Sequence, residues 1–117
     1  MPDTETDAPL VILTTLANES DAAKLITALL EQRLVACGTI LPARSLYRWE
    51  GTVRNEGESL VLLKSRRERW AALKQAVEKS HPYDVPELLA LPVQGGLPAY
   101  VAWLMTETVE ENGEATP

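Results

Sequence analysis

The sequence predicts an α+β protein. Its class is a ferredoxin-like βαββαβ sandwich with an extended hairpin between the second and third strands and a further helix at the C-terminal end. Three observations carry this. Short apolar, β-branched runs at 10–16, 37–41, 59–64 and 87–93 are separated by helix-spaced apolar residues at 20–36 and 65–80. The second and third of these runs are joined by an alternating, glycine-punctuated stretch instead of a helix. Two split βαβ halves with right-handed crossovers then close into one sheet with helices on one face.

Taken in order, Leu10-Val11-Ile12-Leu13-Thr14-Thr15-Leu16 reads as a strand buried on both faces. Asn18 or Ser20 caps the first helix, and Asp21 sits favourably near its positive end. Ala22, Leu25, Ile26, Leu29 and Leu30 form its apolar stripe, and Gly38 is expected to end the region. Cys37 to Leu41 begins the second strand. The stretch 45–58 alternates apolar and polar residues, is punctuated by Gly51 and Gly57, and reads as a strand entering a bend or hairpin. Ser59 to Lys64 returns. Ser65-Arg66-Arg67-Glu68 has the S-x-x-E pattern of a capping box, and Trp70, Leu73 and Val77 are the buried stripe of the helix it would start. Two prolines, Pro82 and Pro86, break that helix. Glu87 to Val93 is the fourth strand, Gly95-Gly96 a turn, and a last helix runs from Leu97 or Pro98 to about Val109.

Length and composition narrow the function. At 117 residues the chain is one domain, and such a chain buries roughly 65% of its unfolded surface without needing disulfide or metal support. Residues 9–109 are expected to form it, between flexible acidic tails at 1–8 and 110–117. Eleven Lys and Arg against 17 Asp and Glu give a net charge of −6, which argues against a nucleic-acid partner, since such binding neutralises phosphates with clustered cations. The densest basic cluster, Arg66-Arg67-Glu68-Arg69, reads as a solvated helix start. No apolar run approaches the roughly 20 residues of a membrane span, and the N-terminus lacks the basic and apolar regions of a secretory signal. One cysteine, Cys37, excludes an intramolecular disulfide and fits a reducing compartment. The expected location is the cytoplasm.

Chemistry concentrates in His81-Pro82-Tyr83-Asp84-Val85-Pro86-Glu87, which holds the only histidine. His81, Asp84 and Glu87 form a candidate metal set, since imidazole with carboxylates suits zinc, copper and other first-row divalent ions. The competing reading makes His81 the cap of the second helix, and spacing favours the cap. An enzyme is not expected. His81 as general base with Glu87 orienting it has no nucleophile or oxyanion donor nearby, and no G-x-S-x-G, phosphate loop or dinucleotide fingerprint is present. Cys37 reads as a buried small hydrophobe. Tyr47 and Trp49 near the tip of the hairpin point to self-association, because exposed aromatics on a long strand pair invite it.

With these residues in place, the chain resembles the CutA divalent-cation-tolerance family. The resemblance rests on "TTLANESDAAKLITALLEQRLVACGTILP" at 14–42, "SLYRWEGTVRNEGESLVLLKS" at 45–65, "HPYDVPELLALPV" at 81–93 and "YVAWL" at 100–104. It implies a ferredoxin-like protomer in a tight homotrimer, similar in plan to PII-type signalling proteins, with clefts between subunits. It also implies a role in tolerance to copper and other divalent cations, with no established enzymatic reaction. In the copper-binding bacterial pattern a cysteine stands where this chain has Thr14, and two adjacent histidines where it has Ser80-His81. The implied site is therefore weak: Cu2+ or another divalent cation, held by His81 with Glu87, Asp84 or a neighbouring chain's carboxylate and not required for folding. A small-molecule or protein-partner sensor of the PII kind, without a tight metal site, is the alternative.

Overall fold

A computed structural model describes residues 7–110. The tails expected at 1–8 and 110–117 lie outside the described residues except at Asp7, Ala8 and Glu110. The elements are β1 (Pro9–Leu16), α1 (Glu19–Glu31), β2 (Cys37–Trp49), β3 (Thr52–Arg66), a 3-10 turn (Arg67–Arg69), α2 (Trp70–Ser80), β4 (Leu89–Pro92) and α3 (Pro98–Glu107). They make one sheet in the order β2-β3-β1-β4 with every neighbouring pair antiparallel. This is the expected ferredoxin-like sandwich, reached through two α-helical crossovers.

Asn18 caps α1, its side-chain oxygen accepting from the Asp21 amide at 2.8 Å. The helix ends earlier than Gly38, and by another device. Arg33 takes a left-handed φ of 57°. Its amide donates to the Leu30 carbonyl and the Leu34 amide to that of Leu29, both at 3.0 Å, which is the paired bonding of a Schellman motif. Gly38 lies instead inside β2, where a Cβ would come within 2.8 Å of the Ile26 side chain. Its role is to let the strand approach the helix.

The hairpin is longer and more regular than the glycines suggest. The pairing of β2 with β3 runs unbroken from Cys37↔Lys64 to Trp49↔Thr52, and Gly57 sits within it opposite Arg44. The reversal needs only Glu50 and Gly51, with φ of 51° and 80°, the double positive signature of a type I′ turn. Pro42 is tolerated because β2 is the edge strand. The ribbon gives the molecule its long axis, with extents of 52 × 27 × 24 Å.

The expected capping box is not formed. Ser65 is still in the strand, buried, and donates to the Leu34 carbonyl at 2.6 Å. The start of the following turn is served by Asp7, whose carboxylate accepts from the Glu68 amide at 3.3 Å and from Arg66 Nη2 at 2.6 Å. A donor-rich segment has thus recruited an acid from before β1, which local spacing could not reveal.

Strand alternation divides the sheet into two unlike faces. Ile12, Leu16, Val61 and Leu63 point toward Ala22, Leu25, Ile26 and Leu29 of α1 and Leu73 and Val77 of α2, and together they form the core. The other face carries Val11, Leu13, Leu60 and Leu62, all half-buried, and Leu41, Leu89 and Leu91, all exposed. So β1 is not buried on both faces, since this second face has no full helical layer. Only α3 approaches it, at the Cys37 end, where the Tyr100 hydroxyl lies 3.8 Å from Cys37 Sγ. Cys37 is accordingly half-buried, with Lys64 Nζ at 3.5 Å, and is not a core residue. The fourth strand is shorter than expected, and residues 93–97 form an irregular link in place of a Gly95-Gly96 turn. Pro98 starts α3 at a position that needs no amide, and Leu104 is its buried anchor.

Candidate functional site

The 81–87 loop begins where α2 stops. His81 is the C-cap of that helix and its amide donates to the Val77 carbonyl at 2.8 Å. Its side chain turns inward and is only 7% exposed. Nε2 lies 2.8 Å from the Thr15 carbonyl of β1, and Nδ1 accepts from the Tyr83 amide at 3.1 Å. These partners select the tautomer: Nε2 carries the proton and donates, leaving Nδ1 as the acceptor. Burial holds His81 below the ordinary imidazole pKa, opposed by its bond to Thr15 and by the charges of Asp21 and Glu58. The imidazole's one lone pair is therefore already used to shape the loop.

The Tyr83 ring packs on the His81 ring with centroids 4.8 Å apart. Its hydroxyl donates to Glu58 Oε2 of β3 at 2.8 Å. Burial first, and then that bond, push the Tyr83 phenol well above its usual pKa. On the hairpin stem the Tyr47 hydroxyl donates to Glu56 Oε1 at 2.9 Å, a bond that also raises the Tyr47 pKa. The loop and the stem enclose an open cleft of about 780 Å³ lined by Tyr47, Trp49, Arg54, Glu56, Glu58, Tyr83, Asp84 and Glu87, among others.

Of the three expected ligands, Asp84 and Glu87 line this cleft and are exposed, while His81 is buried behind Tyr83. Among the described residues, no three His, Cys, Asp or Glu side chains converge as a metal would require. The carboxylates fit a hard divalent cation. The imidazole, with both nitrogens engaged, does not present itself to one. Thr14 is fully buried on the helix-facing side of β1, whereas its neighbour Thr15 borders the cleft. Sequence reasoning singled out Tyr47 and Trp49 only for association, and did not place Glu56, Glu58 or Tyr83 in the site. The period-2 pattern held part of that signal, since alternation sends Tyr47, Trp49, Arg54, Glu56 and Glu58 to one face. The approach of residue 83 to residue 58 had no local trace.

Fold and site together describe a ferredoxin-like protein with an uncovered apolar sheet face and an acidic cleft walled by aromatic rings. The chain belongs to the CutA1 divalent ion tolerance protein family, whose model matches residues 10–107. A relative from Pectobacterium atrosepticum, a divalent-cation tolerance protein CutA, is 48% identical over 103 residues, covering 84% of this chain and 94% of its own. The crystal structure of CutA1 from Oryza sativa superimposes with a TM-score of 0.84 at 37% identity, covering 91% of this chain and 99% of its own. A third similar structure is the periplasmic divalent cation tolerance protein CutA from Archaeoglobus fulgidus, with a TM-score of 0.84 at 29% identity and coverage of 86% and 99%. The resemblance read from the motifs and the fold expected from it are both met. Among the described residues no helix is long and apolar enough to cross a membrane.

Proposed function

We propose that this protein serves divalent-cation tolerance as a homotrimer that binds copper or another divalent cation weakly between subunits, and that it is a binding protein and not an enzyme. The observation that carries the assembly is the second face of the sheet. Leu41, Leu89 and Leu91 are 42%, 56% and 46% exposed, beside the half-buried Val11, Leu13, Leu60 and Leu62, a continuous apolar surface that a soluble monomer would rarely leave open. The family names support the cation role. Asp84 and Glu87 supply two hard oxygen donors from one chain, and a neighbour's donors would complete the shell. His81 would join them only by releasing the Tyr83 amide. The expected compartment remains the cytoplasm, supported by a single unpaired cysteine.

The test is calorimetric titration of the intact protein with Cu2+ and Zn2+. Wild type is expected to give weak, saturable heats. The Asp84→Asn/Glu87→Gln double variant should weaken binding at least about tenfold, or about 1.4 kcal/mol. Indistinguishable isotherms would sink the metal site and leave the sensor alternative, for which the same cleft is the supporting feature.

A further inference from the structure

The basic run Arg66-Arg67-Glu68-Arg69, which has the sequence of a solvated helix start, is tied into the fold. It lies at the end of the sheet remote from the hairpin tip, just past the Cys37↔Lys64 pair. The Arg66 side chain is only 13% exposed and joins separate parts of the chain. Its Nε and Nη2 donate to one oxygen of Asp7 at 3.0 and 2.6 Å, and Nη2 also reaches Glu68 Oε1 at 3.2 Å. Its Nη1 donates to the Met105 carbonyl in the last turn of α3. Asp7 is held in turn. Its other oxygen accepts from the Glu68 amide at 3.3 Å, and the adjacent Ala8 carbonyl accepts from the Arg67 amide at 2.9 Å.

The third helix depends on such support. It has 10 residues, fewer than the roughly 12–15 below which an isolated helix is marginal. Its last turn carries no basic residue, and Leu104 is its one buried side chain. The carbonyl end of its dipole is therefore answered from other elements. Arg66 caps the Met105 carbonyl, and Arg33 Nη1 lies 3.4 Å from the Glu107 carbonyl. We propose that α3 is a strap over the Cys37 end of the second sheet face, locked by a clasp in which Asp7 holds Arg66 against the C-terminus of the helix. A guanidinium suits this task because its donors lie in one rigid fork. One edge takes the carboxylate while the remaining nitrogen reaches the carbonyl. Without Asp7 the guanidinium keeps only the exposed Glu68 as a charged partner and turns from Met105 toward solvent. The segment before β1 thereby controls the last helix, which opens as a unit separate from α1 and α2 on the other face.

The experiment is native-state hydrogen exchange of the full-length protein, read peptide by peptide by mass spectrometry. Asp7→Asn keeps an acceptor but removes the charge. It should speed exchange in α3 at least about tenfold, the usual weight of a hydrogen bond to a charged group, with α1 and α2 unchanged. Arg66→Lys keeps the charge but cannot hold carboxylate and carbonyl together, so it should match Asp7→Asn. The double variant should be no faster than either single one, because both open the same clasp. Asp7→Glu retains the charge and should recover most of the protection. Arg67→Gln, at an exposed side chain, should change nothing. Exchange in α3 unaltered by Asp7→Asn would overturn the proposal, since the helix would then be held without the clasp. Equal acceleration in α1, α2 and α3 would overturn it as well, because the pair would then be a general stabiliser and not a lock on one element.

Discussion

At the scale of single residues, His81 shows how one side chain can be read two ways and be settled by its surroundings. A histidine beside two carboxylates has the composition of a ligand set, and a histidine ending a helix has the position of a cap. The structure assigns it the second task and adds a third, the tie between β1 and the loop. That tie has a pH signature. The folded state lowers the His81 pKa below its unfolded value of 6.5, so below pH 6.5 the unfolded chain binds more protons than the folded one. The stability contributed by neutral His81 is present above pH 6.5 and is lost as pH falls through the folded value. Protonation of Nδ1 also removes the acceptor for the Tyr83 amide. Denaturant midpoints measured from pH 8 to pH 5 should fall below pH 6.5 in wild type. His81→Gln should flatten that part of the profile and cost about 1–3 kcal/mol at pH 8, the usual effect of leaving a buried partner unmet. An unchanged profile in the variant would contradict this account.

At the scale of elements, the device that ends the first helix is not the one that residue patterns suggested. The first helix is ended by an arginine in the left-handed region, and the glycine that looked like its stop is a contact point. Gly38→Ala is therefore expected to destabilise by packing and not by backbone strain. The new methyl would meet Ile26 at 2.8 Å, a collision typically costing about 1–3 kcal/mol. Ile26→Ala in the same chain should recover part of the loss, whereas additive losses in a chemical-denaturation cycle would show that the two residues do not meet. The turn at Glu50-Gly51 is the opposite case. Both residues have positive φ, and the right-handed twist of the ribbon selects that geometry. It could be recognised in the sequence, because a glycine-containing pair separates two alternating runs.

At the scale of the whole molecule, the unlike faces of the sheet dominate. Two helices cover one face fully, and α3 reaches only one end of the other. Burial of apolar surface is worth about 25 cal/mol per Å², so an uncovered face of this kind is a strong reason for association. Light scattering is expected to give a mass three times the 12.9 kDa of one chain. Leu91→Glu should break that assembly, since Leu91 is already 46% exposed in the single chain and the charge would be buried only on association. Circular dichroism should show the separated chains still folded. A wild-type monomer at micromolar concentration would contradict the trimer.

By itself the sequence determined the order and type of elements, the family, a cap at Asn18 or Ser20, the buried stripe of α2 and the break at Pro82. These depend on periodicity and on the local restrictions of proline and short polar side chains, which act over a few residues. The tertiary structure decided what those restrictions leave open. It placed Asp7 under Arg66 and Glu68, Tyr83 against Glu58, and Gly38 against Ile26, pairs separated by 12 to 61 positions. It also spent the lone pair of His81 inside the protein and left Asp84 and Glu87 on the cleft wall. The physical reason is that a hydrogen bond or a collision is set by distance in space, and contacts across the sheet have no period along the chain.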